Sequence, residues 1–294
     1  MLVRARHSVR AFVVALVVTA ALSGCAANGS SGSGSEIDVV ASTNVWGDIA
    51  SAIGGTHVRV TSLIDSATED PHEYAASSTD LAAVAHAQVL LGNGNGYDDF
   101  FSQLSERADA NAAIISANEL TPRGDDNEHY WFDLDTVAAV AAALATTFSD
   151  QQPQHAADFA DALGAFNVQL DELRGALAPT QTNATVLMAE PLPGYLFAAA
   201  GYTDLTPTAL SRAVEAGSEI PTVALNDAST LLANGSVTVL ALNEQNESAQ
   251  TDQLRTAAES ANVTVLTFSE VLPAGTSYLE WMRQYIGEVV AARG

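Results

Sequence analysis

Short runs of β-branched and aliphatic residues recur along this chain, each followed by enough sequence for one helix. Residues 36–41, 57–64, 88–91 and 113–116 form a first set of such runs. Between them lie helical patterns at 46–53, closed by Gly54-Gly55, at 81–86, capped by Ser78-Thr79-Asp80, and near 98–107. Strand and helix alternating at this spacing means βαβ units and a parallel sheet. The plan repeats with strands at 184–189, 237–242 and 263–268 and an amphipathic helix at 277–292. Two helical stretches, 136–148 and 153–177, stand between the two strand-rich halves. The second carries a stripe of Phe159, Leu163, Phe166, Leu170 and Leu173, is long for a globular helix, and ends at Pro179. The expected class is therefore α/β with parallel sheets, and the length suits two lobes of ordinary size.

The first 24 residues stand apart. Arg4, Arg6 and Arg10 precede an apolar run that ends at Leu22-Ser23-Gly24-Cys25. A basic start, a short apolar core and small residues before a cysteine read as a bacterial lipoprotein signal, cleaved ahead of Cys25. Cys25 is the single cysteine of the chain, so it forms no internal disulfide and is the expected site of lipidation. Residues 25–35 are the tether, Gly/Ser-rich from 28 onward, and folded sequence is expected from Glu36. The chain has no lysine, and its net charge is -24. Such acidity disfavours nucleic acid or an anionic lipid surface as a partner.

Several chemistry-bearing residues follow the strands. In open α/β sheets ligands bind beyond the carboxyl ends of the strands. His72 lies in the loop after the second strand, and Glu190, Glu244 and Glu270 follow the strands of the second half. His129 sits in a polar, acidic loop at 121–128 and just beyond. Two imidazoles and two carboxylates suit a first-row divalent ion such as Mn²⁺, Fe²⁺ or Zn²⁺. With no available thiolate, a cysteine-rich structural zinc site is excluded. Glu244 reads as an outer carboxylate orienting a ligand or as a loop-capping acid, and Tyr74, Trp131 and Tyr195 as packing around the site. His57, His86 and His155 read as surface residues. The run Asn93-Gly94-Asn95-Gly96 lacks the lysine of a phosphate-binding loop.

Asp70-Pro71-His72-Glu73-Tyr74 followed by Asp80-Leu81, and Glu128-His129-Tyr130-Trp131-Phe132-Asp133, resemble the two histidine motifs of the metal-ion substrate-binding lipoproteins of ABC transporters, the manganese- and zinc-binding proteins once described as surface adhesins. Glu190 with Tyr195-Leu196-Phe197 and Gly201-Tyr202 looks like the family's third-ligand segment, and Ser269-Glu270 sits where members carry a last acidic ligand. The resemblance implies metal ligands His72, His129, Glu190 and Glu270. It implies two (β/α) lobes, 36–150 and 180–294, joined by a linker helix at 151–179 with the metal between them. It also implies a monomer, held at the outer face of a bacterial membrane through Cys25, that delivers its ion to a permease driven by an ATPase. Glu270 replaces the family's usual aspartate, and Ser78 and Leu134 replace commonly seen prolines. The absence of a His-rich loop, and glutamate rather than histidine at 190, point to Mn²⁺ ahead of Zn²⁺ as the transported ligand.

Two other classes compete with a binding protein. A secreted metal-dependent hydrolase would need an open coordination position and a general base, for which Glu244 is the one candidate, and the chain has no H-E-x-x-H. An adhesin would be a surface property compatible with metal binding, and no motif supports it. The expectation is a protein without catalytic activity.

Overall fold

The computed structural model describes residues 36–66, 71–124, 127–178 and 183–293. The signal segment, Cys25, the tether, Asp70 and Pro179 lie outside these residues.

The first half builds β1 (Ile37–Thr43), α1 (Asn44–Gly54), β2 (Val58–Ile64), α2 (Ser78–His86), β3 (Val89–Gly92), α3 (Asp99–Ser105), β4 (Ala113–Ser116) and α4 (Ala117–Leu120). The strands lie in the order β2-β1-β3-β4, all parallel. β3 is buried along its whole length and β1 almost so, as expected of strands covered on both faces. Two helices follow, α5 (Leu134–Gln151) and α6 (Ala156–Leu177). The second half builds β5 (Thr185–Met188), α7 (Gly194–Ala199), β6 (Thr203–Asp204), α8 (Thr208–Glu215), α9 (Thr222–Ala233), β7 (Val239–Asn243), α10 (Ala249–Ser260), β8 (Thr264–Phe268) and α11 (Tyr278–Ala291). Its sheet has the order β6-β5-β7-β8, again all parallel. The α/β class with parallel sheets is thus what the strand runs indicated, and the second sheet has one strand, β6, beyond the three expected.

Local chemistry shifts some boundaries. The cap of α2 is Ser77, one residue ahead of the expected Ser78. Its hydroxyl accepts from the Asp80 N–H at 3.2 Å and the Asp80 carboxylate accepts from the Ser77 N–H at 2.6 Å, a reciprocal capping box. α5 begins earlier than the apolar pattern does, because Asp133 caps it, accepting from the Asp135 N–H and the Thr136 hydroxyl. The strand β6 had no sequence signal: two exposed residues at a sheet edge show no periodicity.

One apolar core runs through both halves. Ile37 and Val39 of β1, Phe148 of α5, Phe166 of α6, Val186 of β5 and Tyr285 of α11 belong to the same buried cluster. At its centre Phe132 meets Phe268, Trp281 and Tyr285, with ring centroids 5.9–6.1 Å apart. Polar ties cross between the halves as well. The Asn44 side chain donates to the Leu272 carbonyl and accepts from its N–H, both at 2.9 Å. Asp48 accepts the Tyr278 N–H at 2.8 Å, and the Tyr278 hydroxyl donates to the Trp131 carbonyl at 2.7 Å. With the two sheets held in this way, the loops at the carboxyl ends of their strands meet.

Candidate metal centre

Those loops bring together His72, His129, Glu190 and Glu270, and one ligand atom from each lies within 4.8 Å of the others. His72 follows β2 in a single 3-10 turn, Pro71–Glu73, and His129 precedes a second one, Tyr130–Phe132. Glu190 and Glu270 each stand two residues beyond the end of their strands, β5 and β8. All four residues predicted to converge therefore do so. His129, Glu190 and Glu270 are buried, at 0%, 1% and 0% exposure. His129 Nε2 stands 3.7 Å from Glu190 Oε1, and His72 Nε2 stands 3.8 Å from Glu270 Oε2.

The hydrogen bonds around His129 set its tautomer. Asn127 donates its amide to the Pro191 carbonyl at 2.9 Å, which turns Oδ1 towards the imidazole. That oxygen accepts from His129 Nδ1 at 2.8 Å and from the His129 N–H at 3.0 Å. The proton therefore sits on Nδ1 and the lone pair on Nε2, which is buried and has no hydrogen-bond partner among the described residues. Burial, then the neighbouring His72, holds His129 well below the usual histidine range. It is thus neutral, the form that ligates. Tyr97 and Trp131 wall the ring edge-on, at 5.9 and 5.3 Å.

The two carboxylates are organised from the second sheet. Asn243, the last residue of β7, donates its amide nitrogen to Glu190 Oε2 and to Glu270 Oε1, both at 2.6 Å. Asn246 adds a donor to Glu190 Oε2 at 2.8 Å, and the Gln245 side chain accepts the Glu270 N–H at 3.1 Å. Each glutamate thus has one oxygen tied back and turns the other inward. Two imidazoles, neutral when they ligate, and two carboxylates would present a formal charge of minus two, the complement of a divalent cation. Burying two like charges side by side is costly unless something neutralises them, and a bound cation does so.

Sequence reasoning missed several members. Glu244, read as an outer carboxylate, is exposed, and its neighbours Asn243 and Asn246 take that role. Asparagine at a strand end carries no charge signal, so only the strand-end position could have found Asn243. Glu128 lies with Oε1 at 3.5 Å from His72 Nδ1. Burial, then the charges of Glu215, Glu190, Asp98 and Asp99, push its carboxyl up to about 8. Tyr97 packs edge-on against His72 with centroids 5.1 Å apart. The glycine-rich run after β3 places it: Gly94, Asn95 and Gly96 all have positive φ, and a Cβ on Gly94 would stand 2.6 Å from Ser116 Oγ. Of the expected packing residues, Trp131 and Tyr195 are near the site, Tyr195 through a 2.7 Å bond to the Asn127 carbonyl. Tyr74 instead bonds Asp80 and the Leu63 carbonyl.

Residues 39–292 match the family model of ZnuA, the zinc-uptake complex component A, periplasmic. This chain belongs to that family. Among curated relatives, the manganese-binding lipoprotein MntA of Bacillus subtilis is 33% identical over 154 residues, which is 49% of this chain and 50% of that protein. The manganese ABC transporter substrate-binding lipoprotein ScaA of Streptococcus gordonii is 24% identical over 181 residues, 56% of this chain and 58% of that protein. The chain spans about half the length of the curated relatives it matches. Among solved structures, the periplasmic zinc-binding protein TroA of Treponema pallidum aligns with a TM-score of 0.73 at 21% identity, over 89% of this chain and all of that one. The Mn²⁺ complex of FpvC from Pseudomonas aeruginosa aligns at 0.72 and 20%, over 88% and 98%. At these identities the structures show a shared fold.

Proposed function

We propose that this chain is the substrate-binding component of an ABC transporter, capturing one divalent transition-metal ion with His72, His129, Glu190 and Glu270. One observation carries the reading: four ligand atoms, two from each half of the molecule, converge in a largely buried site with a charge that suits M²⁺. Catalytic metal sites keep a position open for water or substrate. Four protein ligands around a walled site fit holding and handing over an ion better than turnover. The protein accordingly acts without catalysis, as a monomer anchored through a lipid on Cys25, and passes its ion to a permease powered by a cytoplasmic ATPase. Mn²⁺ is the favoured cargo and Zn²⁺ the next, since two carboxylates suit manganese while the imidazoles serve both. Names of relatives that bind manganese support the same order.

The test is elemental analysis of the untagged full-length chain purified without chelator, followed by competitive Mn²⁺/Zn²⁺ titration. One tightly held ion, lost in His72→Ala and in His129→Ala, is expected. A chain that takes up no ion after reloading would overturn the reading.

A further inference from the structure

Three residues outside the metal centre form a second candidate site. His57 ends a 3-10 turn just ahead of β2, while His155 and Asp158 lie at the start of α6. His57 is 101 positions from Asp158 in sequence, and His155 and Asp158 are neighbours one helical turn apart, yet one ligand atom from each of the three lies within 4.8 Å of the others. His57 Nε2 is 3.0 Å from Asp158 Oδ2, and His155 Nδ1 is 3.4 Å from the same oxygen. The imidazoles stack with centroids 3.9 Å apart and planes at 23°, and Phe159 backs His57 edge-on at 5.4 Å. The surface position predicted for each histidine holds, but not their isolation: the fold pairs them around one carboxylate.

From this arrangement we infer a solvent-accessible site for a borderline divalent cation of the Zn²⁺, Cu²⁺ or Ni²⁺ type, ligated by His57, His155 and Asp158. A tetrahedral ion with bonds of about 2.1 Å spaces its ligand atoms by about 3.4 Å. Two edges of the triad, at 3.0 and 3.4 Å, are near that length already. The 3.0 Å edge is a hydrogen bond between His57 and Asp158, whose proton a bound ion would displace. The side chains are 23%, 28% and 62% exposed, so the rings have room to converge and an ion can enter from solvent. Two imidazoles and a carboxylate select such ions over Ca²⁺ or Mg²⁺, which prefer all-oxygen sites. Three protein ligands leave positions for water, and the single carboxylate leaves a net positive charge, so this site binds more weakly than the buried one. It is also remote from it. His57 precedes β2 and His72 follows it, and a seven-residue strand spans roughly 23 Å. A bound ion would clamp the start of β2 to the first turn of α6.

The experiment uses the untagged full-length chain and Zn²⁺, with stoichiometry read by equilibrium dialysis and elemental analysis. The wild-type chain is expected to take up two ions, the weaker one absent in His155→Ala and in Asp158→Asn. The variant carrying both His72→Ala and His129→Ala should retain the weaker ion, so failure of the buried site is read separately. Paramagnetic broadening by Cu²⁺ should reach the His57 and His155 ring protons first in that variant. Saturation of the wild-type chain at one ion, or a second ion that survives both His155→Ala and Asp158→Asn, would overturn the inference.

Discussion

The two halves of the molecule bring different chemistry to the same point. The first half supplies nitrogen: His72 and His129, on loops that leave the sheet β2-β1-β3-β4. The second supplies charged oxygen: Glu190 and Glu270, beyond the strands of β6-β5-β7-β8. Their settings differ too. Both glutamates are held by side-chain amides from one short segment, Asn243 to Asn246, and are closed to solvent. His72 keeps a side-chain exposure of 19% and sits in a single 3-10 turn. The carboxylates are tethered by neighbouring amides on the enclosed side, and the His72 imidazole stands at the accessible side. Under the proposed function, an ion arriving from solvent would meet His72 first and the two enclosed carboxylates last.

Removing a ligand breaks this arrangement most severely. His129→Ala should lower metal affinity by more than the roughly 10–100-fold typical of losing an outer partner, measured by competition against a chromophoric chelator. Asn243→Leu comes next. It removes the donor shared by both carboxylates, and a loss of about 10–100-fold is expected. The same variant frees Glu190 Oε2 and Glu270 Oε1 from one tether. Either glutamate could then bind through both oxygens, so Mn²⁺ should lose less affinity than Zn²⁺, because bidentate carboxylates favour the ion that accepts more oxygen ligands. Metal removal itself has a thermal signature. At a free ion concentration of about a hundred times Kd the bound state gains about 2.7 kcal/mol, which for a chain of this size is a fall of about 5 °C in Tm on chelation. His129→Ala should abolish that difference in differential scanning calorimetry.

The parts of the site legible in the sequence were those with a chemical signature. His72 and His129 stood inside polar motifs, and Glu190 and Glu270 followed β-branched runs whose carboxyl ends are where such folds bind ligands. The sheets were legible for the same reason, because β3 is apolar along its length and β7 is apolar up to Asn243. What stayed hidden depends on tertiary contact. Asn243 lies one residue from a glutamate that looks more informative but faces solvent. Asn127 matters because its amide reaches across to Pro191, 64 positions on. His57 and His155 meet only because α6 packs its first turn beside the start of β2. None of these pairings leaves a local pattern of spacing or charge.

The smallest expected effect lies at a tie between the halves that is not part of the metal centre. Asp48, in α1, accepts the backbone N–H of Tyr278 at the start of α11. Burial raises its carboxyl above the ordinary aspartate range; the Tyr278 bond opposes that and Glu280 adds to it. The folded state therefore binds this proton more readily than the unfolded chain does. Linkage then fixes the sign: the contribution of Asp48 to stability is fully present below its unfolded pKa and is lost as pH rises through its folded value. Asp48→Asn keeps an oxygen to accept from Tyr278 but cannot ionise. Denaturant melts across the mildly acidic range should show the wild-type chain gaining stability relative to this variant as pH falls, with metal affinity at neutral pH unchanged. A difference that stays constant with pH would mean that Asp48 joins the two halves through its hydrogen bond alone, with no cost for the charge it buries.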